Sequence, residues 1–340
     1  MHRPDSPRLR RFARGLGSGA CFAAAFAASV FLTGREKSFP KVPAVFAKRQ
    51  YFAENADRFD TIFIGSSRVF YQVDPQQFDT EVAALGGHAQ SVNLACSGMW
   101  PPESFYFLRQ ILALHPARLR WVFIEIMPVN ASLETRNDQT LRTAYWHDWR
   151  HTRMACEEIM APPRAPVEKA RLLIEHAAIL ARWNLHLGTW AAALRERVLP
   201  EKPERPPSWI GRLGFQPQTG RQIPAADLPA YLRDLEHLRR HPPPTPASAL
   251  YTAALRDLAD AVRRAGAEPV FILTPTLYAS DVIIGLPDGV PVFSFSDPVQ
   301  YPALYAPEHH YDSWHLNEKG AAEFTSLLAL RFAEHLRGAP

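Results

Sequence analysis

Five short runs of the chain are apolar at nearly every position: TIFIG (61–65), SVNLA (91–95), RWVFIEIM (120–127), PVFILTP (269–275) and VPVFSFS (290–296). Runs of this length without alternation read as strands buried on both faces. Elsewhere apolar residues return every three or four positions, in ESFYFLRQILALH (103–115), in ALYTAALRDLADAVRRAG (249–266) and from about 318 to 336. That period belongs to helices with one apolar face. Strands alternating with such helices predict an α/β domain over 58–336, its mostly parallel sheet covered on both faces.

The rhythm breaks between about 131 and 245. There Leu173, Leu180, Trp183, Leu187, Trp190 and Leu194 recur at spacings of three, four or seven, and prolines crowd 200–207 and 242–246. The pattern predicts a helical insertion over one edge of the sheet, closed by irregular connections. Its tryptophan stripe is expected to pack rather than to hold a ligand. Residues 35–57 read as a linker or short helix leading into the first strand.

With 47% hydrophobic and 21% charged residues over 340 positions, the composition is that of a globular protein. Its net charge of +4 comes from Arg3, Arg8, Arg10, Arg11 and Arg14 against Asp5, and the rest is balanced. No nucleic-acid footprint follows. Residues 1–14 instead form a basic leader before GLGSGACFAAAFAASVFLT (15–33), an uncharged segment about long enough to cross a bilayer. The basic leader predicts a cytoplasmic N-terminus, a membrane anchor at 15–34 and an exported remainder. The protein would then be single-pass in the inner membrane, with its folded domain in the periplasm. A cleaved signal peptide, cut near Ala25-Phe26-Ala27, is the alternative. Cys21 falls in this segment, which leaves Cys96 and Cys156 as a disulfide pair or as two free thiols.

In an open α/β sheet, reactive groups collect at the carboxyl ends of the strands. Gly65-Ser66-Ser67 stands at such an end. Glycine permits a sharp turn, and a helix starting near Arg68 would aim backbone N–H groups at a neighbouring hydroxyl. A plain serine helix cap is the structural alternative. Near the C-terminus, YDSWHLNEKG places Asp312 three residues before His315, with Asn317 as cap of the last helix. A serine nucleophile needs a base, and a neutral imidazole needs an acceptor on its other nitrogen. Asp-x-x-His supplies both. His309 and His310 close by make a His/Asp metal site the rival reading. Gly98, in the loop of NLACSGMWP, and Asn130, beyond the third strand, are candidate donors to an oxyanion.

Together these motifs resemble the SGNH/GDSL hydrolase superfamily, over roughly 58–130 and 249–336. The resemblance implies a flavodoxin-like three-layer α/β/α fold with a catalytic Ser67, Asp312 and His315. Ser67, Gly98 and Asn130 would be its oxyanion donors, and neither metal nor cofactor would be required. Ser66 and Arg68 depart from the family's usual Asp and Leu. The Gly-Ser-Ser-Arg form is similar to membrane-anchored relatives of alginate O-acetylation and teichoic-acid D-alanylation. Pro128-Val129-Asn130 lacks the usual glycine of the Asn block.

The expected activity is therefore that of an exported serine esterase or O-acyltransferase on an acylated cell-envelope glycan. Its acceptor sugar would stack on Trp146 and Trp149 of the insertion, and a multi-spanning membrane acyltransferase is the partner implied. One alternative is a hydrolase of small esters or lipids. The other is an inactive scaffold of the same fold that docks such an acyltransferase.

Overall fold

The computed structural model describes residues 42–133, 141–161, 164–185, 207–240, 245–278 and 282–338, with positions 21, 24, 25 and 28 of the N-terminal segment. Its strands are β1 Thr61–Ile64, β2 Ser91–Asn93, β3 Trp121–Glu125, β4 Thr245–Pro246, β5 Glu268–Leu273, β6 Ile283–Ile284 and β7 Val292–Ser294. Each apolar run thus holds a strand, although β5 begins one residue before its run. Five of them form one sheet in the order β2-β1-β3-β5-β7, and every pairing in it is parallel. β4 and β6 pair with each other, apart from this sheet.

Side chains alternate along a strand, so each strand serves two cores. Ile62, Ile64, Val122, Ile124 and Phe271 enter one core, and Phe63, Phe123, Val270, Ile272 and Phe293 enter the other. The first lies under α1 Pro43–Asn55, α4 Glu103–Leu112 and α9 Ala249–Arg264; the second lies under α3 Pro75–Ala84 and α10 Glu318–Gly338. Helices therefore cover both faces, an arrangement compatible with three α/β/α layers. On α10, Phe324, Leu328 and Phe332 follow one another at four-residue steps and are fully buried. Each is worth about 1.5–3 kcal/mol of burial, which makes the last helix a clamp on the sheet.

Two regions add to their sequence reading. Residues 43–55, taken as linker or short helix, form α1, and Val45 and Phe52 on it are fully buried. Lys48 on the same helix is buried too. Its ammonium donates to the carbonyls of Asn93 (2.9 Å), Ala95 (2.5 Å) and Gly214 (2.8 Å), and burial away from water pulls its pKa down to about 7. This ties α1 to the end of β2 and to the insertion. The insertion comprises α5 Leu141–Ala144, α6 Trp149–Met160, α7 Pro166–Asn184 and α8 Leu228–Arg240. Ala155, Ile159 and Leu172 join the first core, whereas Tyr231, Leu235 and Leu238 join the second, so the insertion packs against both faces of the sheet. Leu187, Trp190 and Leu194 lie outside the described residues, as does most of the proposed anchor at 15–34. Among the described residues no helix is long and apolar enough to cross a membrane.

Candidate active site

Strands β1 and β3 lie side by side, and the chain leaves them in loops at the same carboxyl edge. After β1 comes Gly65, where an added Cβ would stand 2.6 Å from Glu125 Oε2 and 2.7 Å from Val69 Cγ2. Only a residue without a side chain fits there. Ser66 is buried and caps α2 (Ser67–Phe70): its Oγ accepts from Arg68 N–H at 3.1 Å. Its own N–H donates to Glu125 Oε2 at 2.6 Å. The cap expected as an alternative is thus real, but it belongs to Ser66. Within 61–70 Ser67 alone is not buried.

Glu125 at the end of β3 is fully buried, and its other oxygen accepts from Thr274 Oγ1 at 3.0 Å. Burial pushes its carboxyl up, opposed by the charge of Arg68 and by the hydrogen bonds from Ser66 and Thr274. The Arg68 guanidinium lies 5.7 Å from the Trp100 ring centre and 5.4 Å from that of Trp314. A carboxylate, an arginine and a cap thus hold the turn from beneath.

The loop before α10 brings His315. Its ends are tied by the bridge between His310 and Leu316, and Asn317 caps α10 through Lys319 and Gly320 N–H. Inside it, Asp312 Oδ1 accepts from the N–H groups of Trp314 (2.7 Å) and His315 (2.8 Å). His315 Nδ1 lies 3.0 Å from both Asp312 oxygens, and Nε2 lies 2.8 Å from Ser67 Oγ, 248 residues away in sequence. With Nδ1–H donated to Asp312, Nε2 is left to accept from the serine. Burial pushes Asp312 up, but the hydrogen bond and charge of His315 and the two backbone donors outweigh it and hold the carboxyl below its usual range. Rings crowd the imidazole: Tyr311 stacks on it at 5.2 Å between centroids, and Tyr71 meets it edge-on at 5.7 Å.

Gly98 and Asn130 come together in a neighbouring cleft, lined also by Trp100, Glu103, Arg142 and Trp146. Cys96 N–H donates to Gly65 O at 3.1 Å, which lays the Gly98 loop beside the serine turn. Asn130 N–H donates to Pro101 O, while its Oδ1 accepts from Ser132 N–H at 2.9 Å. Its carboxamide therefore already shapes its own loop. Trp146 is nearly buried and stacks on His147 at 3.8 Å between centroids. Trp149, expected beside it as a second sugar-stacking ring, is the first residue of α6, 74% exposed and not part of the cleft lining.

His309 and His310 face backbone carbonyls, those of Ala303 and Leu304. Burial drives His310 down to about 4. Among the described residues no group of His, Cys, Asp or Glu is arranged to hold a metal ion. Cys96 and Cys156 are both free thiols, and burial pushes Cys96 up to about 11.

Sequence reading missed Glu125 and Arg142. Glu125 had a signal, since a carboxylate inside an apolar strand must find buried partners. Arg142 had none, because its partners are more than 35 residues away. Compared with models of known protein families and with curated proteins, the chain matches none.

Proposed function

We propose that the protein is a serine esterase or O-acyltransferase that works through an acyl-Ser67 intermediate on an acylated cell-envelope glycan. The observation that carries this reading is the unbroken hydrogen-bonded line from Ser67 Oγ through His315 to Asp312, at 2.8 and 3.0 Å. His315 Nε2 takes the Ser67 proton as Oγ attacks the ester carbonyl, and Asp312 holds the resulting imidazolium. The oxyanion is received by the N–H groups of Ser67 and Gly98. His315 returns the proton to the departing alcohol, leaving the acyl group on Ser67. A second hydroxyl, from water or from a sugar, gives its proton to Nε2 as it attacks and takes the acyl group, and His315 passes that proton to Oγ as the serine departs. The SGNH-type resemblance rests on the same residues, and the exported, membrane-tethered setting rests on the N-terminal sequence.

The test is a serine-directed fluorophosphonate. It should label the wild-type chain and not Ser67→Ala, while Ser66→Ala, which damages only the cap, keeps part of the labelling. Labelling of Ser67→Ala at the wild-type rate would remove the nucleophile and the function with it.

A further inference from the structure

The Gly98 N–H can serve an oxyanion only if its peptide plane faces the serine, and that orientation is not fixed by the backbone. Met99 N–H donates to Cys96 O at 3.1 Å, closing a four-residue turn with Ser97 and Gly98 at its centre. Gly98 has φ +70°, and Ser97 is not among the residues with positive φ. This is the type II form; type I, with negative φ at the third residue, differs mainly by a flip of the central peptide. Glycine accepts either sign of φ at little cost. The flip would turn the N–H of Gly98 and the carbonyl of Ser97 to opposite sides.

Arg142 of the insertion reaches that peptide. Its Nη2 donates to Ser97 O at 2.7 Å, and its Nε donates to Glu103 Oε1 at 3.1 Å. Glu103, nearly buried at the start of α4, also accepts from Tyr145 O–H at 2.7 Å. Ser97 C=O and Gly98 N–H are the two ends of one planar trans unit, so a donor fixed on the first sets the direction of the second. It also polarises that N–H toward an incoming anion.

We propose that Arg142 is a positioning residue for the oxyanion donor: by holding the Ser97 carbonyl it keeps the 97–98 peptide in the form that presents Gly98 N–H to the reaction. This rests on the acyl-Ser67 reading and adds to it a role for the helical insertion. Arg142 acts through the peptide, not on the ester, so its loss lowers turnover and leaves substrate affinity in place.

The test uses the full chain with 4-nitrophenyl acetate and the fluorophosphonate. Arg142→Ala should lower kcat by about 10²–10³-fold, the range for loss of one oxyanion donor, with KM changed less than about threefold. Millimolar guanidinium should restore part of the rate in Arg142→Ala and none in Ser67→Ala. Arg142→Lys, with a point charge in place of the fork, should fall between. Because Arg142→Ala takes the cation away from the Glu103 carboxylate, Arg142→Ala/Glu103→Gln provides a variant without that charge, and it should show the same kcat loss. A rise in KM at unchanged kcat, an unaltered rate, or a loss that tracks melting temperature and ignores guanidinium would each overturn the proposal. Wild-type labelling at Ser67 together with any of these sinks Arg142 alone; no wild-type labelling sinks the nucleophile and Arg142 together.

Discussion

Asp148 and His151 make the same local bond as Asp312 and His315. In each, the histidine N–H donates to the aspartate Oδ1 at 2.8 Å, and the ring Nδ1 meets the carboxylate, at 2.7 Å in the first pair and 3.0 Å in the second. In each, burial pushes the carboxyl up, but the hydrogen bonds and charge of its own histidine, with Arg150 beside Asp148 and Trp314 N–H on Asp312, more than offset it, so both aspartates sit below the usual range. What differs is the far side of the ring. His151 is 2% exposed, lies edge-on to Tyr106 and hydrogen-bonds Asp148 alone among the described residues. His315 keeps 18% of its side chain exposed and meets Ser67. An oriented imidazole is therefore cheap to make from four consecutive residues; a useful one needs a hydroxyl delivered from elsewhere in the fold.

The contrast can be broken most sharply at the histidines. His315→Ala should cut fluorophosphonate labelling by about 10⁴–10⁶-fold with little change in melting temperature. His151→Ala should leave the labelling rate near wild type while costing roughly 1–3 kcal/mol in urea unfolding, as expected for a buried partnered side chain. Equal loss of labelling in both would mean that the two pairs do not differ in role. The aspartates come next. Asp312→Asn should lower turnover on the order of 10⁴-fold in a folded protein, whereas Asp148→Ala removes an N-cap and should cost about 1 kcal/mol without touching the rate.

Smaller effects sharpen the picture of the serine turn and of pH. Glu125→Gln keeps one acceptor oxygen but takes one from Ser66 N–H or Thr274, and unfolding should report a loss of about 1–3 kcal/mol. An unchanged midpoint would show that the turn does not lean on Glu125. For Asp148 and Asp312 the native pKa lies below the unfolded one. Their contribution to stability is complete above about pH 4 and is lost as pH falls through the native values. Asp79 has the opposite sign: burial raises it to about 6, so it costs stability as pH rises from about 4 to 6. Urea midpoints across that window should fall in the wild type and flatten in Asp79→Asn; a matching fall in both would show that Asp79 is not the titrating group.

The strands were readable because a strand buried on both faces is apolar over most of its length, and each of the five runs holds all or nearly all of one. Asn317 was readable as a cap because capping is decided within three residues. The helix at 43–55 was readable only as one of two alternatives, since its buried positions include Lys48, whose ammonium is met by carbonyls up to 166 residues away. The stripe on α7 was caught only in part. Leu173 and Trp183 pack against the core, but the most buried positions are Leu172 and His176, the latter hydrogen-bonded to His147 and to Ala131 O. A histidine on a helix face counts as polar until its partners are known.

By itself the sequence determined what short-range physics decides: where strands and most helices run, that Gly65 ends a strand, and that an aspartate three residues before a histidine can orient its ring. It also set two serines after that glycine, and the family resemblance pointed to Ser67 as the reactive one. The tertiary structure buries Ser66 over Glu125 as the cap and leaves Ser67 facing His315. It likewise decided which Asp-x-x-His meets a serine, and it brought Arg142 onto the peptide of Gly98. Each of these contacts joins residues 45 to 248 positions apart. No local pattern encodes such contacts, because they exist only once β1 and β3 pair and the helices close over both faces of the sheet.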